Sequence, residues 1–156
     1  MPRVIDGIEE LKALIGSEVG SSDWVTVTQQ MINSFADTTG DHQWIHVDPD
    51  RARAETPFDG AIAHGFLTLS LLSLLSREAF EHRGDYAMRI NYGLNRLRFV
   101  SPVKAGARIR GRFTLQSVEE IAGGVQTIWA VTVEIEGRVK PALVAEWITR
   151  AYAQTA

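Results

Sequence analysis

Residues 66–80, FLTLSLLSLLSREAF, place leucine at 67, 69, 71, 72, 74 and 75, around nearly the whole circumference of a helix, relieved as far as residue 76 only by Thr68, Ser70, Ser73 and Ser76. A helix that is apolar all round has to be buried. The run is nevertheless far short of the ~20 residues needed to cross a bilayer. It therefore predicts one long central helix inside a domain, and the rest of the chain has to supply what wraps it.

That wrapping is supplied downstream. After Gly84 the chain changes to segments rich in β-branched and aromatic residues, 86–100, 108–118, 125–136 and 142–152, separated by Ser101-Pro102, Ala122-Gly123-Gly124 and Gly137-Arg138. Alternation sets Thr127, Trp129, Val131, Val133 and Ile135 against Ile128, Ala130, Thr132 and Glu134, as in a strand with one buried face. Helices first and consecutive strands afterwards predict the α+β class, with an antiparallel sheet wrapped around the buried helix in a hot-dog arrangement.

The 156 residues fit one domain, 1–156, with no internal repeat or linker. A net charge of −3 points to neither nucleic acid nor an anionic membrane as partner. With no cysteine, the chain has no disulfide, no thiolate nucleophile and no zinc site built on sulfur. The opening MPRVIDGIEELKALIG carries charges where a signal peptide would be apolar, so a cytoplasmic protein is expected.

Between the termini and the central run, local signals mark shorter elements. Ile8, Leu11, Leu14 and Ile15 share a helix face that Gly16 stops, and residues 23–27 read as a short strand. Thr28 is an N-cap for a helix over 29–39, with Met31, Ile32 and Phe35 on one face and Gly40 closing it. Asp48-Pro49 starts a second helix over 49–55. Residues 41–47 are thus expected as a loop between two helix ends, and that loop crowds Asp41, His42, Gln43 and His46 around Trp44 and Ile45.

Joined to the central helix, this loop resembles the motif of the MaoC-like dehydratase family, the (R)-specific enoyl-CoA hydratases of hot-dog fold. The family pattern is an aromatic residue, Gly-Asp, Asn-Pro-aliphatic-His, an alanine, and a His-Gly that opens the helix. The chain supplies Phe35, Gly40-Asp41, Ile45-His46, Ala52 and His64-Gly65 in that order. It departs at Gln43-Trp44, where the family has Asn-Pro. Gln43 retains an amide able to brace the loop, whereas Trp44 lacks the fixed φ of proline.

The resemblance implies reversible syn addition of water to a trans-2-enoyl thioester, on CoA or an acyl carrier protein, giving an (R)-3-hydroxyacyl thioester without a further cofactor or metal. In that chemistry Asp41 and His46 handle the water, as carboxylate and imidazole can exchange a proton near neutral pH. The residues leave open which of them takes the proton. Gly65 would offer its N–H to the thioester oxygen from the helix N-terminus, and Ser70 matches a serine that touches the site in some members. Gln43 and Trp44 are candidates for contact with the acyl chain. Arg96, with Arg98 and Lys104, could meet the carrier's phosphates or simply form a solvated strand edge.

Plainer readings stand beside these. Asp41 can cap a turn, His64 can bond a neighbouring backbone group, and Ser70 can bond back to the preceding turn. His42 and His46, spaced as a metal pair, share a face only on a helix, which Asp48-Pro49 is expected to start too late. A hot-dog acyl-CoA thioesterase and a non-catalytic acyl-thioester binding module are the alternative functions. A homodimer that joins two sheets is expected.

Overall fold

The computed structural model describes residues 1–154. In chain order the elements are β1 (Arg3–Asp6), α1 (Gly7–Ala13), β2 (Glu18–Ser21), β3 (Val25–Thr26), α2 (Gln29–Thr39), α3 (Trp44–Val47), α4 (Pro49–Glu55), α5 (Gly65–Ser70), α6 (Leu72–Ala79), β4 (Phe80–Arg83), β5 (Tyr86–Phe99), β6 (Arg108–Ile121), β7 (Gly124–Ile135) and β8 (Leu143–Ala153). The four strands expected after Gly84 are β5 to β8. They form, with β2 and β3, an antiparallel sheet of order β2-β6-β7-β8-β5 in which β3 also pairs with β6.

Alternation on β7 buries Val125, Thr127, Trp129, Val131, Val133 and Ile135 on one face. Against that face lie Leu72, Leu75 and Ala79 of α6, together with Phe113 and Leu115 of β6 and Leu143 and Trp147 of β8. Ile5, Leu11, Val19 and Ile32 extend the same core to the N-terminal elements. This is the α+β hot-dog arrangement, with β1 and β4 added as a separate parallel pair.

The central helix differs from expectation in two ways. It divides at Leu71 into α5 and α6, next to Ser70, whose hydroxyl donates back to the Phe66 carbonyl at 2.7 Å. It also buries one face only: Leu67, Thr68, Leu72, Leu75 and Ala79 are covered, but Phe66 is 65% exposed. Beside that open face runs β5, which carries the exposed Met88, Ile90, Tyr92, Leu94 and Phe99. No helix among the described residues is long and apolar enough to cross a membrane.

Candidate active site

Successive caps aim the site. Thr28 accepts the Met31 amide at 3.1 Å to start α2, and Gly40, at φ 79, ends it by donating its N–H to the Ala36 carbonyl at 2.8 Å. Asp41 then folds a side-chain turn, its Oδ1 accepting the Gln43 amide at 3.3 Å. Residues 44–47 are not loop, as expected, but the single helical turn α3, closed by His46 N–H to the Gln43 carbonyl at 3.0 Å. Asp48 ends α3 and caps α4, accepting the Arg51 amide at 3.1 Å.

The departure at Gln43-Trp44 is explained by this turn. Gln43 is the N-cap residue and Trp44 the first helical position, the place where proline is favoured because its φ is already helical. Trp44 adopts the turn without that help. The Arg51 guanidinium lies over its ring at 4.2 Å, which anchors the indole to α4. The exposed Gln43 side chain makes no capping bond, so the brace expected from it is supplied instead by the backbone of Gln43 and by Gln29, whose Nε2 donates to the His46 carbonyl at 2.8 Å.

His46 is 7% exposed and points inward from α3. Its Nδ1–H donates to the Ile62 carbonyl at 2.6 Å, which leaves the Nε2 lone pair free. Burial pushes the imidazole below its ordinary value, against the smaller opposing effect of the Ile62 carbonyl, so the neutral form is favoured. Residues 61–63 are themselves fixed along 103–105, with Ala63 N–H donating to Val103 at 2.7 Å and Ala105 N–H to Ala61 at 2.9 Å.

The next two residues complete the group. His64 is buried, stacks on His46 with ring centroids 3.8 Å apart, and donates from Nε2 to the Asp41 backbone carbonyl at 3.0 Å. Gly65 opens α5, where no side chain caps the helix start; the Leu67 and Thr68 amides turn back to the His64 carbonyl, and those of Gly65 and Phe66 have no earlier helical turn to donate to. The Phe99 ring lies over it so closely that a Cβ at Gly65 would be 3.0 Å from ring carbons. His46, Gly65, Thr68 and Phe99 line a common cavity of about 270 Å³.

His46 therefore lies beside the Asp41 carboxylate and shares a cavity with Gly65, a cavity that Asp41 does not line, and His42 stands outside the group. His42 bonds Asp37 outside the site at 2.8 Å, and that contact raises its basicity. Ser70 and Arg96 do not reach the His46 cavity: Ser70 is spent on its back-bond and borders a separate groove with Tyr92 and Leu94, and Arg96 stands exposed on β5 opposite Glu146. Arg98 donates to its neighbour's carbonyl, and Lys104 pairs with Asp59 at 3.5 Å. Gln29, Thr68 and Phe99 carry no motif that marks them in the sequence.

The group that offers metal-ligand types is Asp41, His46 and His64, with one ligand atom from each within 4.8 Å of the others. It suits a cation poorly. The two imidazoles lie face to face, 25° from parallel, whereas ligands of one zinc ion point their in-plane lone pairs at a common centre ~2.1 Å away.

Comparison with known proteins gives this geometry its setting. A family model described as "MaoC like domain" matches residues 10–136. The chain is 51% identical over 149 residues to 3-hydroxyacyl-thioester dehydratase Z of Mycobacterium tuberculosis (strain ATCC 25618 / H37Rv), covering 95% of this chain and 97% of the relative. It is 52% identical over 142 residues to nodulation protein N of Rhizobium meliloti (strain 1021), covering 90% and 88%. In fold it is similar to the unliganded R-hydratase PhaJ1 from Pseudomonas aeruginosa, with a TM-score of 0.69 at 24% identity over 90% of this chain and 83% of that one. Agreement of sequence across most of the chain with the hot-dog architecture makes the protein a member of the MaoC-like dehydratase family, and a hydro-lyase of the hydratase and dehydratase type.

Proposed function

We propose that the protein catalyses the reversible syn hydration of a trans-2-enoyl thioester, carried on CoA or an acyl carrier protein, to the (R)-3-hydroxyacyl thioester. The observation that carries this reading is the free Nε2 of a buried, neutral His46 beside Asp41 and the opening amide of α5. His46 Nε2 takes one proton of a water whose other proton is held by the Asp41 carboxylate. The water oxygen bonds C3, and the electron pair of the double bond moves to the thioester oxygen, where the Gly65 N–H meets the developing charge. The imidazolium then returns its proton to C2 on the same face, which makes the addition syn and restores neutral His46. Purified protein mixed with crotonyl-CoA and longer enoyl thioesters on both carriers should consume the enoyl absorbance and yield the (R)-alcohol. No loss with any of them, or the (S)-product, would sink the reading.

The proposed reaction needs no metal, because a neutral imidazole and a helix-terminal amide supply the base and the electrophile. Prolonged dialysis against EDTA is expected to leave turnover within about twofold, less than one hydrogen bond to the transition state contributes. Activity lost to chelation and recovered with a divalent cation would reverse that assignment.

A homodimer belongs to the same proposal. Among the described residues the 14-residue β5 pairs on one side with β8 only, and an edge strand of that length carrying exposed apolar side chains invites pairing with a second copy. Sedimentation should give a dimer at micromolar concentration, and Tyr92→Asp with Leu94→Asp should shift it to monomer. A wild-type monomer at that concentration would contradict the proposal.

A further inference from the structure

His64 is the residue before Gly65, and the hydration reading leaves it without a task. It touches every part of the proposed machinery. Its ring covers the face of His46 at 3.8 Å, and its other neighbour is the Phe35 ring, tilted at 56° with centroids 5.0 Å apart. Its Nε2 meets the Asp41 carbonyl at 3.0 Å. A carbonyl only accepts, so Nε2 carries the hydrogen and Nδ1 presents a lone pair. That Nδ1 is buried with no hydrogen-bond partner among the described residues.

Leaving a buried acceptor unpaired is unfavourable, and a phenylalanine there would fill the same slot between Phe35 and His46 without it. What phenylalanine lacks is the donor to Asp41. The imidazole thus does two jobs through two different features, a flat face against His46 and one N–H to the backbone that sets where Asp41 stands. Asp41 itself is exposed and has only weak tethers of its own, the 3.4 Å contact from its amide to Thr39 Oγ1 and the 3.3 Å turn from its carboxylate to Gln43.

We propose that His64 is a positioning residue: its ring fixes the plane of the His46 imidazole and its Nε2–H fixes the Asp41 main chain, holding the two water-handling groups in register with the amide of Gly65. The inference rests on the hydration reading above. In this role His64 acts through Asp41 and His46, not on the water or the thioester. Misplacement of a reacting group by ~1 Å costs about a hundredfold in rate, which sets the size of the effect.

Two substitutions separate the two features. His64→Phe keeps a ring on His46 and deletes the tether to Asp41; kcat should fall about tenfold to a hundredfold with KM little changed. His64→Gln keeps an N–H at the same reach and should recover part of that loss. In the unliganded wild-type protein, nitrogen NMR of the rings should find His64 protonated at Nε2 and His46 at Nδ1. Wild-type kcat in folded His64→Phe, or a lowered melting temperature with unchanged kcat per folded molecule, would overturn the proposal, as would finding His64 protonated at Nδ1. The His46→Gln variant separates the two ideas: if it retains wild-type turnover, the hydration mechanism falls, while the ring tautomers still decide whether His64 tethers Asp41.

Discussion

Asp41→Asn and His46→Gln should each lower kcat for enoyl-thioester hydration by about a hundredfold to ten-thousandfold, the range that a positioned acid-base group contributes. Asparagine is isosteric with aspartate, and glutamine at 46 keeps an N–H that can reach the Ile62 carbonyl although it loses the ring stacked on His64, so the folds should persist and KM should move far less. The two losses should also fail to add in the double variant, because neither group can process the water alone. Unchanged turnover in either folded variant would remove that residue from the mechanism.

The pH dependence follows from the same burial. His46 must be neutral to accept a proton, and burial holds it below the ordinary 6.5. The acid limb of kcat/KM should therefore lie below pH 6.5. Stability follows with the same sign. In the unfolded chain the imidazole titrates near its ordinary value, so between there and the lower folded value the unfolded state binds more protons. The contribution is complete above pH 6.5 and is lost as pH falls through the folded value. His82, lowered chiefly by burial and then by Arg89, adds to the same trend. An acid limb above pH 6.5 in the wild type would contradict the role given to His46.

Much of this frame is legible in the sequence because its signals are local. Thr28, Gly40 and Asp48-Pro49 act within one turn of themselves, and each caps the element expected of it. The alternation of β7 needs nothing beyond its own residues. The turn α3 escapes such a reading, since four residues are too few to show a helical period and its position depends on where the Gln43 carbonyl points. Trp44 beneath Arg51, and His64 against both His46 and Asp41, are meetings of elements that no local pattern encodes. The leucine-rich run likewise says that a helix seeks cover but not which face finds it. In the folded chain the sheet covers one side, and Phe66 is left beside β5.

The largest effect on stability should come from Phe113→Ala. Phe113 is fully buried on β6, edge-on to Phe80 at 5.6 Å and tilted against Trp147 at 6.4 Å. Its ring occupies the space that Gly111 leaves open, for a Cβ at Gly111 would be 2.8 Å from that ring and 3.0 Å from Leu75 of α6. The ring is thus what fills the join between helix and sheet. Its removal loses burial and leaves a void that flanking backbone on β6 and α6 can close only in part, at a cost of about 3–5 kcal/mol. Against a total of about 5–15 kcal/mol for a domain, that is a large share. With urea slopes of about 1–3 kcal/mol per molar, the unfolding midpoint should drop by roughly one molar or more at fixed protein concentration. Ile15 is the internal control: it is a large apolar side chain just beyond α1, away from β5, and 45% exposed. Ile15→Ala should move the midpoint far less, and equal shifts for the two would show that the Phe113 ring is not the wedge between α6 and the sheet.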